Sequence, residues 1–367
     1  MTSGALRVAL LHPCYFPEVR RGSERIIREL GSELAARGHD VTLITSHPER
    51  PSRTVEDGMT VVRHWRPPAG PLERRGFQPY LTHMPLAAAS LRRGRFDLAH
   101  AFYVTDAVVA ARWSARTGRP AVFSYMGVPD RHVLANKRRR LQLVREATRG
   151  ASAVVALSTA AAEACRRWLG VDAVPIYPGF DVERFAAAAT VPRSHSPTIF
   201  CAAAPDDPRK RLDLLSEAFA RLRRTRADLR LVALRPREPD NVARYGLDRD
   251  GVDLVDPVSD PVELAPRYGA ATVSALTSRA EAFGMVVPES LACGTPVVAT
   301  RDGALPEIID RPGVGELFDG DDAADVAAAI DRAIDSGDPD TCRARAADFS
   351  IARSADAHEE LYRRLLR

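Results

Sequence analysis

Two carboxylates eight positions apart, Glu281 and Glu289, flank a stretch whose backbone could receive a phosphate. Carboxylates accept hydrogen bonds from hydroxyls, whereas phosphate asks for N–H donors and fixed positive charge. The carboxylates stand in residues 271–300, ATVSALTSRAEAFGMVVPESLACGTPVVAT. This stretch reads as strand (271–276), loop, helix (283–293), Gly294 as the stop, and a second strand (296–300). A strand leading into a helix start aims free amides above the sheet edge, here those of Phe283, Gly284, Met285 and Val286, and such a place suits phosphate. With the interval fully helical, a rise of 1.5 Å per residue puts the carboxylates roughly 12 Å apart, about the reach from a sugar across a diphosphate to a ribose.

The surrounding elements are those of an α/β protein with two sheets. Residues 6–11 form a first strand, 12–21 a loop, 23–37 a helix ended by Gly38, and 40–45 a second strand, a βαβ opening of Rossmann type. Further strands are expected at 59–64, 96–99, 120–124 and 153–157, with helices at 105–117 and from 158 to 169. Residues 67–78 are a proline- and glycine-punctuated connection, either acceptor-facing or without order. An Ala-, Pro- and Ser-rich crossing at 186–197 precedes a second series: strands at 198–203, 229–234, 252–255 and 314–318, and helices at 209–224, 261–270, 322–334, 341–348 and 350–366. Leu212, Leu215, Phe219 and Leu222 share one face of the 209–224 helix.

Glu281 and Glu289, with Phe283, Gly284, Ala292, Gly294, Pro296, Val297 and Val298, resemble the Glu-x7-Glu signature of family four retaining glycosyltransferases. The following ATRDGALPEII resembles the loop and short helix of the same enzymes, and residues 178–185 resemble their Gly-x-Asp turn. The resemblance implies the GT-B fold: two Rossmann-like domains facing an inter-domain cleft. An acceptor-binding domain is expected at 1–185, a nucleotide-sugar domain at 186–349, and a terminal helix at 350–367 packing back on the first domain.

It implies that Glu281 meets hydroxyls of the transferred sugar, Glu289 the ribose, and Lys210 the donor diphosphate. The family pattern also has an arginine five residues before the lysine, where this chain has Pro205, so Arg209 or Arg211 is left to take that role. Where relatives carry two glycines this chain has Arg21-Gly22. Gly22 then either lets the backbone approach donor or acceptor or merely starts a helix, and Arg21 narrows or recharges the acceptor side. His100 falls where relatives commonly carry histidine and reads equally as a substrate contact or a satisfied strand-end histidine. Met126 stands where many relatives have histidine near the sugar, so either His132 replaces that contact or the sugar lacks the hydroxyl.

Composition bounds the rest. A chain of 367 residues suits two domains. The five cysteines are odd in number and scattered, indicating neither a disulfide framework nor a zinc site. No signal peptide or 18-residue apolar run is present, so a cytoplasmic location is expected. The net charge of +4 divides into roughly +11 before residue 186 and roughly −7 after it. Lysine occurs only at 137 and 210, so each marks either a place wanting a compact ammonium or chance. Lys137, Arg138, Arg139 and Arg140 lie in a basic stretch (131–149) that reads as a solvated helix face or as a peripheral contact with the inner face of a membrane. Nucleic acid is not expected, since no aromatic interleaving accompanies the charge.

Asp248-Arg249-Asp250 and Asp319-Gly320-Asp321-Asp322 are Asp-x-Asp runs, and both read as turns or helix starts. No metal or other cofactor is therefore expected, the nucleotide-sugar donor being a substrate and the acceptor a glycan, lipid-linked or small molecule. Competing readings are a GT-B epimerase or phosphorylase and a non-catalytic sugar-nucleotide partner or sensor. A nicotinamide enzyme is disfavoured because no Gly-x-Gly-x-x-Gly follows the first strand.

Overall fold

The computed structural model describes residues 4–367, and the chain divides into two compact units, Met1–Phe180 with Ile351–Arg367, and Asp181–Ser350. The first unit carries an eight-stranded sheet: β1 (Arg7–Leu11), β2 (Asp40–His47), β3 (Ser52–Glu56), β4 (Met59–Trp65), β5 (Leu98–Ala101), β6 (Ala121–Tyr125), β7 (Ala153–Ala156) and β8 (Val174–Pro175). Their order is β3-β4-β2-β1-β5-β6-β7-β8, parallel throughout except for β3 against β4. β3 went unread in the sequence because SRTVE is almost wholly exposed and shows no apolar alternation.

The central strands are continuous apolar runs because helices cover both faces of the sheet. Successive side chains point to opposite sides. Val8 and Leu10 join Val41, Leu43 and Leu98 in one core, beneath Ile27, Leu30 and Leu34 of the helix Gly22–Ala36. Ala9 and Leu11 join Ile44, Ala99 and Ala101 in the other, beneath Val108 and Trp113 of the helix Val104–Thr117. The helix Ile351–Leu365 belongs to the first unit and adds Ala355, Leu361 and Tyr362 to the core containing Val8 and Leu10.

The basic stretch is not one amphipathic helix. Two short helices, Arg131–Ala135 and Arg140–Gly150, flank a turn in which Arg139 is left-handed (φ 60°). Arg138 is tied to the 67–78 connection: its N–H donates to Gly76 O at 2.7 Å, and its guanidinium lies 4.9 Å from the Phe77 ring centroid. That connection itself contains a short helix, Gly70–Arg74, and leads to the helix Met84–Arg93.

The second unit holds six parallel strands: β9 (Thr198–Cys201), β10 (Arg230–Leu234), β11 (Val252–Val255), β12 (Val273–Leu276), β13 (Val297–Thr300) and β14 (Gly315–Phe318), in the order β11-β10-β9-β12-β13-β14. Strand order reverses between β9 and β12 here and between β1 and β5 in the first unit. At such a switch point the loops leaving neighbouring strands diverge and open a crevice at the strands' carboxyl ends, the usual ligand position in open α/β sheets.

Candidate active site

The loops leaving β9 and β12 bring together two of the residues singled out in the sequence. Residues 208–210 form a single 3₁₀ turn, Pro208–Lys210, capped by Asp207 and followed by the helix Leu212–Leu222, so Lys210 precedes the helix rather than lying in it. Lys210 Nζ pairs directly with Glu281 Oε1, and the two side chains keep only 16% and 12% of their exposure. Thr277, one residue past β12, fastens the turn through its hydroxyl, which donates to the carbonyls of Lys210 (2.8 Å) and Arg211 (3.0 Å). Arg279 N–H donates to Arg209 O at 3.0 Å, so the two loops run against each other. An ammonium and a carboxylate with so little water around them form an ion pair that a phosphate or a sugar hydroxyl could enter on either side.

The neighbouring arginines divide the remaining work. Arg209 is 60% exposed and turned onto Asp207 at 2.6 Å. Arg211 is committed elsewhere: Nε donates to Thr277 O (2.6 Å), a terminal N–H donates to Thr300 Oγ1 (2.8 Å), and Asp321 pairs with it. Of the two arginines offered for the diphosphate, Arg209 is thus the one with an exposed head. Asp321 also pairs with Arg279, Asp319 with Arg301 at 3.3 Å, Asp250 with Arg223, and Asp322 accepts the Ala324 N–H as a helix cap at 2.8 Å. The Asp-x-Asp runs therefore bind arginines and cap helices. Sequence reading named Arg211 and Asp321 but missed that they pair with each other across 110 positions.

The helix after Glu281 is shorter than the spacing suggested. It runs Val286–Ala292, because Gly284 takes φ +85° and breaks the turn before it. The helical estimate of the carboxylate separation therefore does not apply. The amides of Gly284, Met285 and Val286 donate to no backbone carbonyl among the described residues. The Phe283 ring is buried edge-on against Phe349, leaving only its backbone for a ligand. Glu289 is 2% exposed, and the Tyr268 hydroxyl donates to its Oε2 at 3.4 Å. Its neighbour Ser290 joins Ser274 of β12 at 2.6 Å, which seats the helix on the sheet.

In the first unit the expectations separate. Arg21 and Gly22 are exposed at the helix start, and a Cβ at Gly22 would meet nothing within 4 Å, so no steric demand selects glycine there. His100 has the environment of a satisfied strand-end histidine: it is fully buried, stacked on Phe102, with Nδ1 2.7 Å from the Tyr362 hydroxyl and Nε2 2.7 Å from the Ser124 hydroxyl. Burial drives its pKa well below the usual histidine range. Met126 packs on the core containing Val8, and His132 is exposed on its short helix.

His12, Cys14 and Glu24 cluster after β1 with metal-ligand atom types within 4.8 Å of one another. They are hydrogen-bonded among themselves: His12 Nδ1 lies 2.6 Å from Cys14 O, the Cys14 thiol donates to Glu24 Oε1 at 3.3 Å, and Glu24 Oε2 accepts the Arg21 N–H at 3.1 Å. Burial pushes the Cys14 thiol up to about 12. Gln78 is also buried, and neither of its amide atoms has a hydrogen-bond partner among the described residues.

Comparison with known proteins bears on both units. A family model for Glycosyltransferase Family 4 matches residues 20–184 and one for Glycosyl transferases group 1 matches residues 196–336. The D-inositol 3-phosphate glycosyltransferase of Thermobifida fusca is 31% identical over 364 residues, covering 85% of this chain and 80% of the relative. Sucrose-phosphate synthase from Thermosynechococcus elongatus superposes with a TM-score of 0.81 at 23% identity, over 98% of this chain and 99% of that one. HepE of Anabaena, solved in complex with UDP-glucose, gives 0.72 at 19% identity, over 97% and 99%. With both units matched and an aligned relative above 30% identity, the chain belongs to family four of the GT-B glycosyltransferases, the glycosyl transferases of group 1.

Proposed function

We propose that this glycosyltransferase moves a sugar from a UDP-sugar to a hydroxyl of a small phosphorylated polyol, with retention at the anomeric carbon and without a metal ion. The observation that carries the reading is the Lys210–Glu281 pair at the switch point of the second sheet. The donor diphosphate draws Lys210 from its carboxylate partner, aided by the exposed Arg209 and the amides of Gly284, Met285 and Val286. Glu281, released, accepts hydroxyls of the sugar and fixes the anomeric carbon. Glu289 serves the ribose end.

In a retaining transfer of this kind the acceptor oxygen forms its bond to the anomeric carbon on the face from which the diphosphate departs. The acceptor's proton passes to the departing phosphate oxygen, so no separate protein base is required. Fixed cations stabilise the charge that builds on the leaving group, the part a metal would otherwise play. Support for UDP comes from the HepE complex, and for a polyol phosphate from the D-inositol 3-phosphate relatives. Arg21, exposed at the helix start of the first unit, is assigned to the acceptor.

The test is transfer from UDP-glucose to D-inositol 3-phosphate, with UDP release followed in EDTA and in magnesium. Equal rates in both, and a fall of about 10²- to 10³-fold for Lys210→Ala, are expected. Activity confined to the magnesium arm, or unchanged kinetics in Lys210→Ala, would overturn the reading. Glu289→Ala is expected to raise the donor KM with a smaller effect on kcat.

A further inference from the structure

The loop bearing Glu281 is gripped from two sides, and one of the residues gripping it has no part in the reading above. Ala280 adopts φ +55°, a left-handed conformation that residues with a Cβ rarely take and that persists where the surroundings enforce it. The enforcing group is the carboxylate of Asp302, two residues beyond β13. Its Oδ2 accepts the Ala280 N–H at 2.7 Å, and its Oδ1 accepts the N–H of Gly303 at 2.9 Å. Ala304 N–H then donates to Glu281 O at 3.1 Å. Between them the two backbones touch. Gly303 has φ +58°, and a Cβ there would lie 2.3 Å from Glu281 O.

The pairing of the strands explains why a residue after β13 reaches the loop after β12. The two are adjacent and parallel, with Leu276 opposite Ala299, so their exits lie side by side. On the opposite flank, Arg279 N–H is fixed to Arg209 O. Glu281 thus leaves a backbone pinned immediately before it by Asp302, at its own carbonyl by Ala304, and two residues upstream by the Lys210 turn.

We propose that Asp302 is a positioning residue of the transfer reaction: by bonding Ala280 N–H it fixes the backbone from which Glu281 aims its carboxylate at Lys210 and at the donor sugar. The proposal rests on the reading of Glu281 as the sugar-orienting carboxylate. Asp302 itself touches no substrate, and its effect passes wholly through Glu281. The same resemblance that singled out Glu281 covered Asp302 only as part of a loop.

The experiment is a double-mutant cycle on the full chain with two readouts, using Asp302→Ala, Glu281→Gln, the pair together, and Asp302→Asn, which keeps one acceptor oxygen. Hydrogen exchange in peptides spanning 277–285 is expected to speed up at least tenfold in Asp302→Ala, with the thermal midpoint little changed, and to fall between in Asp302→Asn. UDP release from UDP-glucose is expected to drop tenfold or more on Asp302→Ala in the parent enzyme, with donor KM moving less than threefold, and less than twofold in the Glu281→Gln background. Unchanged exchange overturns the proposal, as does a turnover loss of equal size in both backgrounds, which marks a general structural role. Should the parent enzyme release no UDP, the donor assignment fails, and the exchange result alone decides whether Asp302 sets the loop.

Discussion

Arg211 shows how one side chain can outweigh its own backbone cost. It sits at φ 49°, where an L-residue loses about 1–2 kcal/mol. Against that stand charge-assisted bonds to Thr277 O and Thr300 Oγ1, each worth about 1.5–3 kcal/mol when partly buried. Arg211→Gly, which removes the strain and the bonds together, is therefore expected to destabilise the second unit by about 2 kcal/mol in urea unfolding. A gain in stability would show the backbone term to dominate. The sequence made Lys210 and Glu281 legible because each occupies a matching place in a motif. The bracing roles of Arg211, read there only as a candidate for the diphosphate, and of Asp302 were not legible, since they lie in bonds to Thr277 and Ala280, which only the adjacency of β12 with β9 and β13 brings within reach.

The helix Ile351–Leu365 is held by a buried polar seam as well as by apolar packing. Tyr362 meets His100, His358 Nδ1 donates to Ser354 O at 2.8 Å, and Arg37 bonds Asp356 (2.6 Å) and Glu359 (3.1 Å). Burial lowers His358 to about 4 and holds His100 well below its ordinary value. Unfolding lets both imidazoles take up a proton, so between pH 6.5 and about 4 the unfolded chain binds more protons and stability falls as pH falls. Glu359 acts in the same direction lower down: burial opposes its ionisation, but the Arg37 hydrogen bond and nearby positive charges bring its pKa below the ordinary 4.5, and that contribution is lost below this pH.

Urea midpoints of the first unit should therefore drop steadily from pH 7 to 4.5, and His358→Phe should flatten the slope. A parallel slope in the variant would exclude His358 as its source. Tyr362→Phe, which strips His100 of a buried partner, is expected to cost about 1–2 kcal/mol at pH 7. The position of this helix in the chain was legible from its spacing, as were most strands. The start of the helix after Glu281 was not, because a positive-φ glycine overrode an otherwise continuous pattern.

For the molecule as a whole, the alternation of strands and helices was readable from apolar runs and helical faces, the pairing into two Rossmann-like domains came from the resemblance, and the strand-order reversal in each sheet appears only in the structure. The closing of the first unit by the helix Ile351–Leu365 came from resemblance alone, because an amphipathic pattern states that a face is covered and not what covers it. Among the described residues no helix is long and apolar enough to cross a membrane. A ligand that binds only the folded chain raises its midpoint in proportion to the logarithm of its concentration over Kd. UDP at 100 times its Kd should thus stabilise the protein by about 2.7 kcal/mol, equally with and without chelator. Differential scanning fluorimetry reads this directly, and a shift that needs magnesium would count against a metal-free site.

The polypeptide leaves the first unit after Phe180 and comes back at Ile351, so the second unit is an insertion within the first. On the ribosome, residues 181–350 emerge whole before the missing helix of their neighbour has been made. Until then the apolar surface destined for Ala355, Leu361 and Tyr362 stays bare, the kind of exposure that makes an incomplete chain prone to aggregate. Maturation of the earlier-born lobe is thereby timed by completion of the later one.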